Sequence, residues 1–66
     1  MSKPFQFVAG QEFENAEGNV REIDAVYPNY VNYTILYRDG RESRIYHGSK
    51  KVLRLMIANG EIKQVA

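Results

Sequence analysis

The run from Tyr30 to Tyr37, followed by Arg38, Asp39 and Gly40, constrains the fold more than any other part of the chain. Val31, Tyr33, Ile35 and Tyr37 recur at every second position, with Asn32 and Thr34 among the residues between them, which is the period of a strand with one buried face. Asp39-Gly40 then reverses the chain, so the next segment returns antiparallel. A two-residue loop would set Arg44 opposite Ile35 and Glu42 opposite Tyr37, putting charge on the apolar face. A three-residue loop of Arg38, Asp39 and Gly40, with Gly40 left-handed, instead sets Ile35 opposite Ser43 and Tyr33 opposite Ile45. The second register is the expected one. It directs Val31, Tyr33, Ile35 and Tyr37 to the core with Ile23 and Ile45, leaves Asn32 facing solvent, and turns Glu42, Arg44 and Tyr46 to the other face.

Neighbouring segments carry similar signals. Pro4 to Val8 alternates up to Ala9-Gly10, so residues 1–9 are expected to form an extended arm or an edge strand. A second short strand is expected around Phe13, and Asn15 to Asn19 reads as a turn with Gly18 free to take a positive φ. Val20 to Tyr27 is rich in β-formers, with Ile23, Ala25 and Tyr27 on one parity and Val20 and Val26 on the other; Pro28-Asn29 ends it. Between residues 50 and 59 two readings compete. Ser49 can cap a helix from Lys50 to Asn59 that stops at Gly60, whereas Asn59-Gly60 alone would suggest a hairpin between Val52–Ala58 and Glu61–Val65. The helix is favoured, because the segment has only two β-branched residues, Val52 and Ile57, and a clustered apolar set. Glu61 to Val65 then closes the chain as a last short strand.

A chain of 66 residues has little surface to bury, only about 60% of what it exposes when unfolded. It contains no cysteine, so neither a disulfide nor a thiolate metal site can reinforce it, and the single histidine, His47, cannot build a structural zinc site. Stability must come from an apolar core, for which 44% hydrophobic residues, with five tyrosines and three phenylalanines, are adequate. No apolar run approaches the roughly 18 residues of a membrane span, and the first residues lack the apolar stretch of a secretory signal. The expectation is one soluble, cytoplasmic domain over residues 1–66, with no membrane association.

The order of elements, several antiparallel strands joined by short turns with a helical segment before the last one, resembles the small SH3-like barrels over roughly residues 10–66. The fold class expected is therefore α+β and mostly β: a small antiparallel SH3-like barrel or curled sheet with one short C-terminal helix before the last strand.

Catalytic chemistry finds little footing. His47 is the only imidazole base, and Ser49, two residues away, is better explained as a helix cap than as a nucleophile. Glu12, Glu14, Glu17, Glu22 and Asp24 read as solvated strand and turn positions, and the five glycines are spaced singly, with no phosphate-binding loop. No catalytic residue, metal site or cofactor is expected. The net charge is only +1, but it is unevenly distributed: residues 1–37 carry two basic and five acidic side chains, and residues 38–66 carry seven and three.

Two sets of residues therefore remain as candidates for binding. Arg38, Arg41 and Arg44 on the expected hairpin, with Lys50, Lys51 and Arg54 on the expected helix, could form a basic face. Tyr30 and Tyr46 fall on the parity away from the core and could lie exposed beside Arg44, where they would suit either a protein interface or base stacking. The function expected is that of a small non-catalytic module, regulatory or accessory, of a size that would suit a phage or bacterial protein, which engages a larger protein partner. A nucleic-acid-binding small β-barrel that uses the basic hairpin and helix is the alternative.

Overall fold

The computed structural model describes residues 5–66, which contain five strands and one helix. The strands are β1 (Glu12–Asn15), β2 (Val20–Val26), β3 (Tyr30–Leu36), β4 (Tyr46–Ser49) and β5 (Ile62–Gln64), with α1 (Lys50–Ala58) between the last two. All pairings are antiparallel, in the spatial order β4-β3-β2-β1-β5. β4 and β5 are thus the two edges of one open sheet, and α1 connects them across one face. The sheet is not closed into a barrel, which leaves the SH3-like barrel unconfirmed; the helix takes the place of a closing strand pair.

The turns follow from their residues. Tyr37 N–H donates to Arg41 O at 2.8 Å and Gly40 N–H to Tyr37 O at 2.9 Å, closing the expected three-residue loop with Gly40 at φ +94°. Asn15 Oδ1 accepts from the N–H groups of Glu17 and Asn19, and Gly18 takes φ +86°. Asn19 in turn accepts from Arg38 N–H at 3.0 Å, tying the two turns together.

The helix, not the rival hairpin, forms. Ser49 is its N-cap, accepting from Val52 N–H at a long 3.5 Å. At the other end Gly60 takes φ +77°; its N–H bonds Ile57 O and the next N–H, of Glu61, bonds Met56 O, closing the helix in a Schellman arrangement. Leu53 is buried, and Met56 and Ile57 pack beside it against the core, as the clustered apolar pattern requires.

Residues directly opposite each other in an antiparallel sheet share a face. Phe13 lies across from Arg21 and Arg21 from Ile35; Ile23 lies across from Tyr33 and Tyr33 from Tyr46; Val31 lies across from Gly48. These residues make the inner face. Its buried part is small: among the described residues only Phe7, Phe13, Ile23, Val31, Leu53 and Ile62 are fully buried. The expected arm contributes one of them. Pro4 and the residues before it lie outside the described residues, and residues 5–9 pair with no strand; instead Phe5 and Phe7 fold over Phe13 as three mutually edge-on rings with centroids 5.0 to 5.9 Å apart. Gly48 is required where α1 crosses β4, since a Cβ there would stand 2.7 Å from Tyr33 Cε1 and 3.3 Å from Leu53 Cδ1.

Two bulges change which side chains face inward. In β2, Ile23 pairs with Tyr33 but Ala25 pairs with Asn32, so Asp24 is extra and Ala25 does not share the face of Ile23, contrary to the simple parity. The Asp24 carboxylate accepts the Thr34 hydroxyl at 2.6 Å on the outer face. The second bulge corrects the expected register. Next to the turn, Ser43 N–H donates to Ile35 O and Leu36 bridges Glu42, as foreseen, yet three residues back along β3 Tyr33 meets Tyr46 rather than Ile45. One residue has been inserted. Ser43 accommodates it, because its hydroxyl accepts from Ile35 N–H at 2.8 Å and donates to Arg44 O at 2.7 Å, standing in for a ladder bond. Ile45 is consequently turned out, 60% exposed, and Tyr46 is turned to the inner face. Both placements are the reverse of those expected. Asn32 does lie on the outer face, where its side chain bonds His47 Nδ1. Ile35 and Tyr37 keep the inner parity but are only half-buried, because α1 does not reach them.

Candidate binding face

The inner face has a covered half and an open half. α1 and the aromatic arm cover the end with Val31, Ile23 and Phe13, and Arg54 fastens the arm, its Nη2 donating to Phe5 O at 3.3 Å and its guanidinium standing 5.7 Å from the Phe7 ring centre. Arg21, Tyr33, Ile35, Tyr37 and Tyr46 lie on the open half. Three of these, with Arg44 just before β4, form a ladder across β2, β3 and the β4 edge. Arg21 sits 5.7 Å from the Tyr33 ring centre, Tyr33 and Tyr46 stack at 5.7 Å and 27°, and Arg44 lies 5.6 Å from the Tyr46 ring centre. Tyr33 is therefore flanked on both sides, by a guanidinium from β2 and by a ring from β4. Arg21 Nε is buried without a hydrogen-bond partner among the described residues. Its guanidinium borders an open cavity of about 290 Å³ lined also by Glu17, Met56 and Glu61.

The six basic residues singled out from the sequence do not gather in one place. Arg38 lies against the turn between β1 and β2, its Cδ close to Gly18, and Arg41 pairs with Asp39 at 2.7 Å while its guanidinium lies over Tyr37. Both belong to the hairpin tip. Lys50 is at the other end of β3, where its N–H donates to Asn29 O, so about 23 Å of strand separates it from the tip at roughly 3.3 Å per residue. Arg54 is held by the arm. Arg44 and Lys51 flank β4 at its two ends, and both are exposed. Tyr30 is 40% exposed, as expected, but it stacks on Tyr27 at 4.7 Å and 14°, with His47 edge-on to its ring at 5.8 Å.

Exposed apolar residues flank β4 on both sides. Val52 and Leu55 are 54% and 56% exposed on α1, whereas Ile45, just before β4, is turned to the outer face. Val52 and Met56 are one turn apart on the helix, and Met56 borders the cavity beside Arg21, so this flank of α1 faces the ladder. A helical wheel carries the signal for it: the apolar arc from Leu55 through Val52, Met56 and Leu53 to Ile57 is wider than the strip that a sheet can bury. The sequence also holds no acidic residue from Ser43 to Gly60, while Arg44, Lys50, Lys51 and Arg54 fall within that span. Acidic side chains gather on the outer face instead, where Glu12 lies opposite Glu22, Asp24 bonds Thr34, and Glu14 has Lys63 across from it.

The backbone of β4 is open on one side. Tyr27 N–H bonds Tyr30 O across the turn between β2 and β3, so Tyr30 directs its backbone groups to β2 and, by alternation, Val31, Tyr33 and Ile35 direct theirs to β4. Their partners Gly48 and Tyr46 face β3. His47 and Ser49 then direct their backbone groups away from the sheet. His47 offers an N–H and a C=O that no strand among the described residues takes up.

Among the described residues no three His, Cys, Asp or Glu side chains lie together as metal ligands, and no helix is long and apolar enough to cross a membrane. The fold defines a small open antiparallel sheet crossed by one helix, with an unpaired basic edge. Comparison with protein-family models, curated proteins and solved structures finds no match in any of the three.

Proposed function

We propose that the chain is a non-catalytic binding module that engages a larger protein partner along β4 and the adjoining flank of α1. The observation that carries this reading is that exposed Ile45, Val52 and Leu55 and the exposed Arg44 and Lys51 all fall immediately before or after β4, an edge strand of the open sheet. Apolar and aromatic groups framed by arginine are the composition of energetically important interface centres. A non-catalytic role accords with the chemistry available: His47 Nδ1 is engaged by Asn32 and the Ser49 hydroxyl caps α1. A regulatory or accessory role and a cytoplasmic setting fit the same reading, and the element order still resembles that of the small SH3-like barrels.

Nucleic-acid binding is less favoured, for two physical reasons. Base stacking needs a free aromatic face, whereas Tyr33 lies between Arg21 and Tyr46, and Tyr46 already carries Tyr33 and Arg44. Counterion release also needs several cations reaching one backbone together, and the basic residues are divided between the hairpin tip, the helix start and the arm. The discriminating experiment is capture of partners from nuclease-treated lysate, run beside titrations of single-stranded and duplex oligonucleotides at low and moderate salt. The reading predicts protein capture that survives nuclease and no oligonucleotide binding. Oligonucleotide binding whose affinity falls steeply with salt, together with capture lost after nuclease, would overturn it.

A further inference from the structure

We infer that the partner is engaged by strand addition: an extended acidic segment pairs with the outer edge of β4 and lengthens the sheet by one strand. This rests on the proposed reading as a protein-binding module and assigns the chemistry of the segment that is bound. The backbone supplies the first argument. His47 directs its N–H and C=O outward and Ser49 its N–H, the Ser49 C=O being taken by the first turn of α1, and an edge of this kind is a template for main-chain hydrogen bonds. Within β4, Tyr46, His47, Gly48 and Ser49 include neither the lysine nor the proline that commonly block an edge, although the strand is short and entered through a bulge. The other edge, β5, is shorter and carries Lys63.

Charge supplies the second argument and selects the occupant. Arg44 and Lys51 bracket β4, nothing acidic lies between Ser43 and Gly60, and the only ion pair among the described residues is Arg41 with Asp39, away from this edge. A second copy of the chain is a poor occupant. Two-fold antiparallel pairing centred on β4 would bring Arg44 of each copy toward Lys50 and Lys51 of the other, and like charges facing each other across strands are destabilising. A segment with carboxylates at both ends of a short extended stretch reverses that repulsion. Its inward side chains would meet Val52 and Tyr46, while the His47 side chain stays engaged with Asn32 on the other face.

The test uses blocked eight-residue peptides that alternate valine with glutamate, or valine with lysine, titrated into the full chain with backbone amide shifts and hydrogen exchange as readouts. The glutamate peptide is expected to shift the amides of residues 45–49, slow exchange at His47 and Ser49, and bind at least tenfold more tightly than the lysine peptide. Two substitutions separate backbone pairing from side-chain contact. His47→Pro removes the outward N–H and no bond to β3, and should reduce affinity at least tenfold. His47→Ala keeps the N–H and should bind within about twofold of the wild type; its fold is checked by the unchanged amide spectrum outside residues 45–49. No binding of the glutamate peptide, equal effects of the two substitutions, or an equilibrium dimer that occupies β4 would overturn the inference. If protein capture from lysate is lost in an Arg44→Glu, Lys51→Glu variant yet kept in His47→Pro, the module reading stands and strand addition falls.

Discussion

The two halves of the inner face are built on the same strands and have opposite properties. Under α1 and the arm, Phe13, Ile23, Val31 and Ile62 are at most 2% exposed and belong to one apolar cluster. Elsewhere on the same face Arg21 on β2, Ile35 on β3 and Tyr46 on β4 are half-buried and open to solvent. The helix is only nine residues, about 13 Å at 1.5 Å per residue, while the molecule extends over 40 Å. It cannot cover both. A sheet longer than its cover leaves a face that stability does not require, and that face is where arginine and tyrosine collect.

This contrast can be broken most sharply at the covered end. Phe13→Ala should cost about 3–5 kcal/mol, measured by urea unfolding, because Phe5, Phe7 and the sheet all close on that ring. For a domain whose whole stability is of order 5 kcal/mol this leaves little folded protein. Gly48→Ala should cost about 1–3 kcal/mol and perturb the Tyr33 ring resonances, since the new methyl group must displace Tyr33 or Leu53. A cost below about 0.5 kcal/mol would mean that α1 and β4 are less closely packed than described. Gly40→Val should weaken the hairpin by about 1–2 kcal/mol through the left-handed conformation alone, because no side chain lies near that position.

At the open end the effects should be smaller and partly reversed. Arg21→Met removes a buried Nε that has no partner among the described residues, at the loss of a cation–π contact worth about 0.5–1 kcal/mol. Thermal unfolding should therefore show the variant to be as stable as the wild type or up to about 1 kcal/mol more so. A loss above 1 kcal/mol would show that the guanidinium supports the fold.

Local signals made most of the fold legible in advance. Ser49 and Gly60 bracket the helix, Gly40 defines the three-residue loop, and the alternation from Val31 to Tyr37 orients β3. The failures share one cause. Simple parity assumes an unbroken ladder, but Asp24 and the segment after Ser43 each insert a residue, and a single insertion exchanges the faces of everything beyond it. Thus Ile45 emerged and Tyr46 turned inward. The hydroxyl of Ser43 is what makes the second insertion tolerable, and nothing about a serine in a polar stretch distinguishes it beforehand. The role of Phe5 and Phe7 was hidden for another reason: an arm that packs without pairing has no period of its own. The basic residues were countable, but their dispersal depends on which end of β3 each turn occupies, which is a tertiary property.

The central claim is that the fold is held by one half of the inner face and its neighbours, while the β4 edge serves recognition. Its most direct test is a single double variant, Arg44→Glu with Lys51→Glu, measured for both urea unfolding and nuclease-resistant protein capture. Both side chains are exposed and neither forms an ion pair among the described residues, so unfolding should change by no more than about 1 kcal/mol, the loss of the Arg44–Tyr46 cation–π contact included. Capture should fall at least tenfold. Undiminished capture, or capture lost only in proportion to a loss of folded protein, would contradict the division of labour between the two regions.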